Sequence, residues 1–296
     1  MTSTGLPPLT LVHGIGGRPG HVLPVADALG VPRAQVAAPA LPRHNDAGPV
    51  GAAGGLPADV PSTAAWLLER TPTAGRLLVG HSTGGVLALA MAGLLAAPAG
   101  APAAGAGTAD GADVGASTGD GAEARLKAGV PAGVVVVDSN VPVAPDAVAA
   151  RARKAQLARR TDWRAAMRGA LARDWAGPAL WRERVFADLD ATADEPMRSL
   201  WESVLRTDSR ALWAGLRPPV GEGCEEDGVG RCGAALPVLY VRATREVEAA
   251  DVVPLLAPGV ELTVVRAGAG HWPHLQDPPA VAEAIGTWWA ARTPTS

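Results

Sequence analysis

The stretch Arg76-Leu-Leu-Val-Gly-His-Ser-Thr-Gly-Gly85 decides how this chain is read. A short apolar run ends in Gly80-His81-Ser82-Thr83-Gly84 and opens into the small-residue segment Val86-Leu-Ala-Leu-Ala-Met-Ala92. That pattern is a strand, a sharp turn and a helix, with a serine at the apex. Such a turn forces strained backbone angles on the serine, and the flanking glycines let strand and helix approach without side-chain clash. The hydroxyl then projects above the sheet edge beside a helix N-terminus, which favours negative charge. The alternative, a glycine-rich turn with an inert serine, has to be weighed because the chain holds 36 glycines. Flanking residues on both sides agree with the nucleophile reading.

Outward from this turn, short apolar runs alternate with helical patterns. Leu9–His13, Gln35–Ala38, Leu77–Val79, Gly133–Asp138, Val238–Arg242 and Glu261–Val265 read as strands. His21–Leu29, Thr63–Arg70 with Ser62 as N-cap, Thr83–Ala97 and Pro279–Ala291 read as helices. Alternation of this kind means a mostly parallel sheet covered by helices on both faces. Ligands in such sheets bind beyond the carboxyl ends of the strands, where Ser82, Asp138 and the segments after Arg242 and Arg266 fall.

Two segments break the alternation. Pro98 to Ala124 is nearly all Ala, Gly, Pro, Thr and Asp, and is expected to be a disordered insert. Val141 to Leu216 is helical and carries Trp163, Trp175, Trp181, Trp201 and Trp213 plus Phe186. It is expected to cross the sheet edge as a lid inserted before the penultimate strand. The expected division is therefore a first core part at 1–140, a lid at 141–217 and a second core part at 218–296.

A length of 296 residues and a hydrophobic content of 48% support a substantial α/β core. A net charge of −3 argues against a nucleic-acid partner. No segment reaches the ~20 apolar residues of a membrane span, and Met1–Pro8 has no signal-peptide pattern, so a cytoplasmic protein is expected. Nine Trp against one Tyr and one Phe, and only Lys127 and Lys154 as lysines, point to a GC-rich genome rather than a functional demand. Cys224 and Cys232 share one loop without nearby histidines; they read as two free thiols, with a local disulfide as the alternative, and neither a metal nor a cofactor is expected.

A nucleophilic serine needs a base. His271, in Gly270-His-Trp-Pro-His-Leu275 after the last strand, can drop an imidazole onto Ser82; His274 is its competitor and is expected to pack instead. Val12-His-Gly-Ile-Gly-Gly17 follows the first strand, and the Ile15 and Thr83 N–H groups are the candidate oxyanion hole. His13 reads as a loop organiser, and His81 and Trp272 are candidate substrate contacts.

Together His13-Gly14, Gly80-His-Ser-Thr-Gly-Gly85 and Gly270-His-Trp-Pro-His-Leu275 resemble the α/β-hydrolase-fold superfamily in its serine-nucleophile, esterase-like branch. The chain departs from that pattern in three ways. Eight residues before the first strand leave no room for the family's first two strands, which are expected to be absent. The turn after the second strand reads Leu41-Pro-Arg-His-Asn-Asp46 in place of a Gly-His-Gly type sequence. The resemblance places an Asp after the penultimate strand, where this chain has Glu246, with Glu248 and Asp251 nearby; Asp138, at the end of an earlier strand, is the rival acid. What the resemblance implies is a carboxylic-ester hydrolase acting on a small-molecule ester with a small or medium apolar acyl group. A thioesterase or lactonase of secondary metabolism and a non-catalytic ligand-binding protein are the alternatives.

Overall fold

A computed structural model describes residues 5–42, 57–96, 129–218, 235–245 and 247–292. The expected insert at 98–124, Cys224, Cys232 and Glu246 lie outside the described residues.

Six strands form one sheet in the order β2-β1-β3-β4-β5-β6: β1 Leu9–Val12, β2 Val36–Ala37, β3 Leu77–His81, β4 Gly133–Val137, β5 Leu236–Arg242 and β6 Val260–Arg266. Every described pairing is parallel. Side chains alternate across each strand, so successive residues serve opposite cores. Leu77, Val79, Val135, Val137, Leu239 and Val241 pack on one face, with Val22, Val25, Val281 and Ile285. Those partners come from α1 (Pro19–Ala28) and α11 (Pro278–Ala290). Leu78, Val134, Val136, Val238 and Tyr240 pack on the other face, against α2 (Val60–Arg70) and α3 (Thr83–Ala96). The near-continuous burial of β3, β4 and β5 is what a parallel sheet covered on both faces requires.

Helix α2 starts earlier than its sequence suggests. Its N-cap is Asp59, not Ser62; the Asp59 carboxylate accepts the Ser62 N–H at 2.8 Å. Pro61 in the first turn suits a position whose N–H has no helical partner.

Between β4 and β5 the chain forms α4 (Pro145–Lys154), α5 (Trp163–Arg173), α6 (Ala179–Ala191), α7 (Asp194–Arg206) and α8 (Ser209–Ala214). Trp163, Met167, Phe186, Leu189 and Met197 make a small core of their own, with Trp201 and Ile15 at its border. Trp213 is fully buried in the main core, and its indole N–H donates to the Val141 carbonyl. Arg164 on α5 gathers the carbonyls of Leu189 in the last turn of α6 and of Thr192 just past its end, which ties these helices together. Helix α9 (Ala249–Val252) and α10 (Pro273–Gln276) are single turns.

Three glycines set the approach of α3 to the sheet. A Cβ on Gly80 would strike the Gly84 carbonyl, one on Gly84 the Val12 carbonyl, and one on Gly85 the Ser139 hydroxyl. Gly286, within α11, has nothing within 4 Å of where its Cβ would stand. Gly84→Ala is therefore expected to lose roughly 3 kcal/mol or more of unfolding free energy. Gly286→Ala should gain about 0.5–1 kcal/mol, because a helix interior favours alanine. Urea titration of both variants reads this directly; equal effects would contradict the packing account.

Candidate active site

Ser82 sits between β3 and α3 with φ at +54°, in the left-handed region that a non-glycine residue occupies only when its surroundings hold it there. Those surroundings are specific. The Ser82 N–H donates to the Val137 carbonyl at the end of β4 (3.0 Å), and the Ser82 carbonyl accepts the Ser139 hydroxyl at 2.7 Å. The Ser139 carbonyl in turn accepts the hydroxyl of the fully buried Tyr240 at 2.5 Å.

His271 lies on the loop between β6 and α10. Its Nε2 is 3.0 Å from the Ser82 oxygen, and its Nδ1 is 2.8 Å from Asp138 Oδ2. The carboxylate bonded to the histidine is thus Asp138. Its carboxylate is fully buried, and its φ of +43° marks a second strained residue at the end of the neighbouring strand. Oδ1 accepts the backbone N–H groups of Ala243 (2.8 Å), Thr244 (2.6 Å) and Arg245 (2.8 Å). Oδ2 accepts the Thr244 hydroxyl at 2.6 Å as well as the imidazole.

Burial works to raise the Asp138 pKa, but hydrogen bonds from His271 and Thr244 and the Arg245 amide outweigh it and hold the carboxyl well below the usual range. An ionised Asp138 only accepts, so the proton between the two groups belongs to His271 Nδ1. Nε2 is then bare and accepts the Ser82 hydroxyl. This is the protonation state a general base requires.

The position after β5 was expected to carry the acid. Instead, residues 243–245 supply donors to Asp138 from their backbone. Glu246 lies outside the described residues, and the imidazole nitrogen it was to hold is already engaged. Glu248 is exposed and pairs with Arg242, and Asp251 is also exposed.

The remaining sequence candidates fall around the pair. His13 donates from Nδ1 to the Gly14 carbonyl (2.8 Å) and accepts the Leu41 N–H on Nε2 (3.2 Å), which pins the glycine loop after β1. In that loop the Ile15 N–H, like the Thr83 N–H at the start of α3, has no hydrogen-bond partner among the described residues. His81 is buried and donates from Nε2 to the His271 carbonyl at 2.6 Å. Desolvation, then the neighbouring His271, lower its pKa well below the ordinary value, so it stays neutral and positions the loop of His271. Trp272 is buried against Trp175, ring centres 4.9 Å apart. His274 does not reach Ser82; its ring is buried on α10, 4.0 Å from that of His81.

Two open spaces meet at Ser82 and His271. The smaller, about 360 Å³, is lined by Gly14, Gly17, His21, His81, Trp272 and His274. The larger, about 500 Å³, is lined mainly by Val86, Met167, Leu171, Trp201, Val204 and Leu205, with Thr83, Asn140 and Arg245 as polar neighbours of Ser82 and His271. Ile15 and Leu171 border both. Among the described residues, no cluster of His, Cys, Asp and Glu has the arrangement of a metal site. Sequence reasoning missed Asn140 and Arg245, which stand just past the two strand ends that build the acid's cradle.

Solved structures repeat this architecture. A hydrolase from Pseudomonas aeruginosa PA01 matches with a TM-score of 0.57 at 19% identity, over 98% of this chain and 92% of its own. The enol-lactonase from Burkholderia xenovorans LB400 matches at 0.53 and 15% identity, over 98% and 94%. The chain has the α/β-hydrolase fold. A thermophilic esterase from Thermogutta terrifontis is similar at 0.52 and 19% identity, over 98% and 91%. No protein-family model and no curated protein sequence matches the chain.

Asp138→Asn places an amide N–H₂ where two donors already converge. It is expected to lower turnover by roughly 10³- to 10⁴-fold by misorienting His271. The stabilisation that Asp138 provides is present above the ordinary aspartate range and is lost as pH falls through that range towards the depressed folded value. Acid titration of stability should therefore show a shallower fall for Asp138→Asn than for the parent. Glu246→Gln should retain turnover within a few-fold; a loss as deep as that of Asp138→Asn would contradict the assignment.

Proposed function

We propose that this protein is a serine hydrolase that cleaves carboxylic esters with a small or medium apolar acyl group through an acyl-enzyme. The observation that supports it most is the continuous hydrogen-bonded line from Ser82 through His271 to a buried, ionised Asp138. In this reading Ser82 Oγ attacks the ester carbonyl while His271 Nε2 takes its proton. The negative oxygen of the tetrahedral intermediate rests on the Ile15 and Thr83 N–H groups, aided by the N-terminus of α3. Collapse expels the alcohol, which receives the proton from Nε2. Water then repeats the sequence on the acyl-enzyme, with His271 again as base, and releases the acid and Ser82. Each step is a proton transfer or acyl transfer at carbonyl carbon and draws on no cofactor.

The helices at 141–217 act as a lid over this chemistry, since α5 and α7 contribute Met167, Leu171, Trp201, Val204 and Leu205 to the larger space. An apolar wall of this kind suits an alkyl or aryl acyl chain. Lactone and thioester cleavage use the same groups, and one structural neighbour is an enol-lactonase. The non-catalytic reading was motivated by the missing acid after β5, and Asp138 removes that motive. No helix among the described residues is long and apolar enough to cross a membrane.

A fluorophosphonate probe and nitrophenyl esters of increasing acyl length test the proposal. The parent protein should form one adduct on Ser82 and hydrolyse short esters with a burst of nitrophenol. Ser82→Ala should lose the adduct and at least ~10⁴-fold in turnover. Folded parent protein that neither labels nor turns over would overturn the reading.

A further inference from the structure

The two spaces at Ser82 share the lining residues Ile15, Ser82, Leu171 and His271. Ser82 and His271 carry the chemistry, and Ile15 belongs to the glycine loop after β1. Leu171 comes from the lid, in the last turn of α5, and the chemistry gives it no task. Its neighbours show where it stands. Met167, one turn earlier on the same face of α5, borders the larger space alone. Val185 and Trp272 border the smaller space alone. Leu171 thus lies where the two spaces meet, together with the nucleophile and the base.

That junction is where a scissile ester must sit, with its acyl arm in one space and its alkoxy arm in the other. Leu171 is fixed there by packing. It is part-buried and packs against two separate apolar clusters, one around Trp163 and Phe186 and one around Val185 and Leu275. A side chain shared by two close-packed clusters does not swing aside without opening a gap in one of them. With the carbonyl carbon held at Ser82, only the substituents on the acyl α-carbon have to remain at the junction. Atoms from the β-carbon onward enter the larger space.

We infer that Leu171 is a specificity-determining residue that closes the junction beside the scissile ester, so that the enzyme accepts acyl groups with an unbranched α-carbon and rejects those with a quaternary one. The inference rests on the proposed esterase chemistry and narrows its substrate class.

The test compares the nitrophenyl esters of pentanoic, 3-methylbutanoic and 2,2-dimethylpropanoic acid, each normalised to its own rate with hydroxide. All three acyl groups have the same number of carbons; the branch is absent, at the β-carbon or at the α-carbon. For the parent protein the first two should exceed the third by roughly tenfold or more in kcat/KM, since a single misplaced methyl group in a tight site costs about that much. Leu171→Ala should bring the pentanoate-to-dimethylpropanoate ratio down by roughly tenfold. The milder Leu171→Val should move it the same way by a smaller factor, which covers poor folding of the alanine variant. Met167→Ala, which widens the larger space away from the junction, should leave that ratio unchanged. The ratio is the readout because general damage to the site lowers all three rates together. A parent protein that hydrolyses the dimethylpropanoate ester as well as the pentanoate, a ratio unmoved by both Leu171 substitutions, or a Met167→Ala effect as large as that of Leu171→Ala would overturn the inference and leave the esterase reading intact. A folded parent protein that hydrolyses none of the three defeats the esterase reading, and the inference with it.

Discussion

A single buried carboxylate organises this molecule's functional edge. Asp138 has no exposed surface, and an isolated charge in that position would be prohibitively costly. It is held ionised by three backbone N–H groups, one hydroxyl and one imidazole. Every one of those donors is thereby fixed in place. The loop after β5 is wrapped around the carboxylate, and His271 is oriented by it with one nitrogen protonated and the other bare. Removing the charge loosens a loop and a base together.

The end of β4 carries a second duty. Ser139, next in the chain, ties the carbonyl of Ser82 to β4 and Tyr240, while Val137 receives the Ser82 N–H. The nucleophile and the acid are therefore braced by three consecutive residues of one strand end. Both Ser82 and Asp138 adopt positive φ, and such strain persists only where neighbouring bonds over-determine it. The bare glycine surfaces of Gly80, Gly84 and Gly85 let α3 come close enough for the brace to reach.

Much of this was legible in the sequence because it rests on periodicity and on residue types. The apolar runs mark the strands, and the two cores follow from their alternation. The glycines around Ser82 announce a tight strand-to-helix turn, and a histidine after the last strand has few other places to go. The acid was harder to read. A side-chain alignment asks which carboxylate follows β5, but the structure answers with backbone N–H groups from Ala243, Thr244 and Arg245, which no residue code displays. Asp138 was visible as a rival, and its advantage is the concave array of donors that only the folded loop creates. Arg245 and Asn140 were hidden for a similar reason. They are surface-type residues that become pocket walls only once α5 and α7 cross the strand ends.

The most direct test of Asp138 as the partner of the base is proton NMR of protein with nitrogen-15-labelled histidine. The account predicts a strongly downfield, slowly exchanging Nδ1–H on His271, lost in Asp138→Asn and retained in Glu246→Gln. A His271 that is protonated on Nε2 instead, or a resonance that vanishes with Glu246→Gln and survives Asp138→Asn, would contradict it.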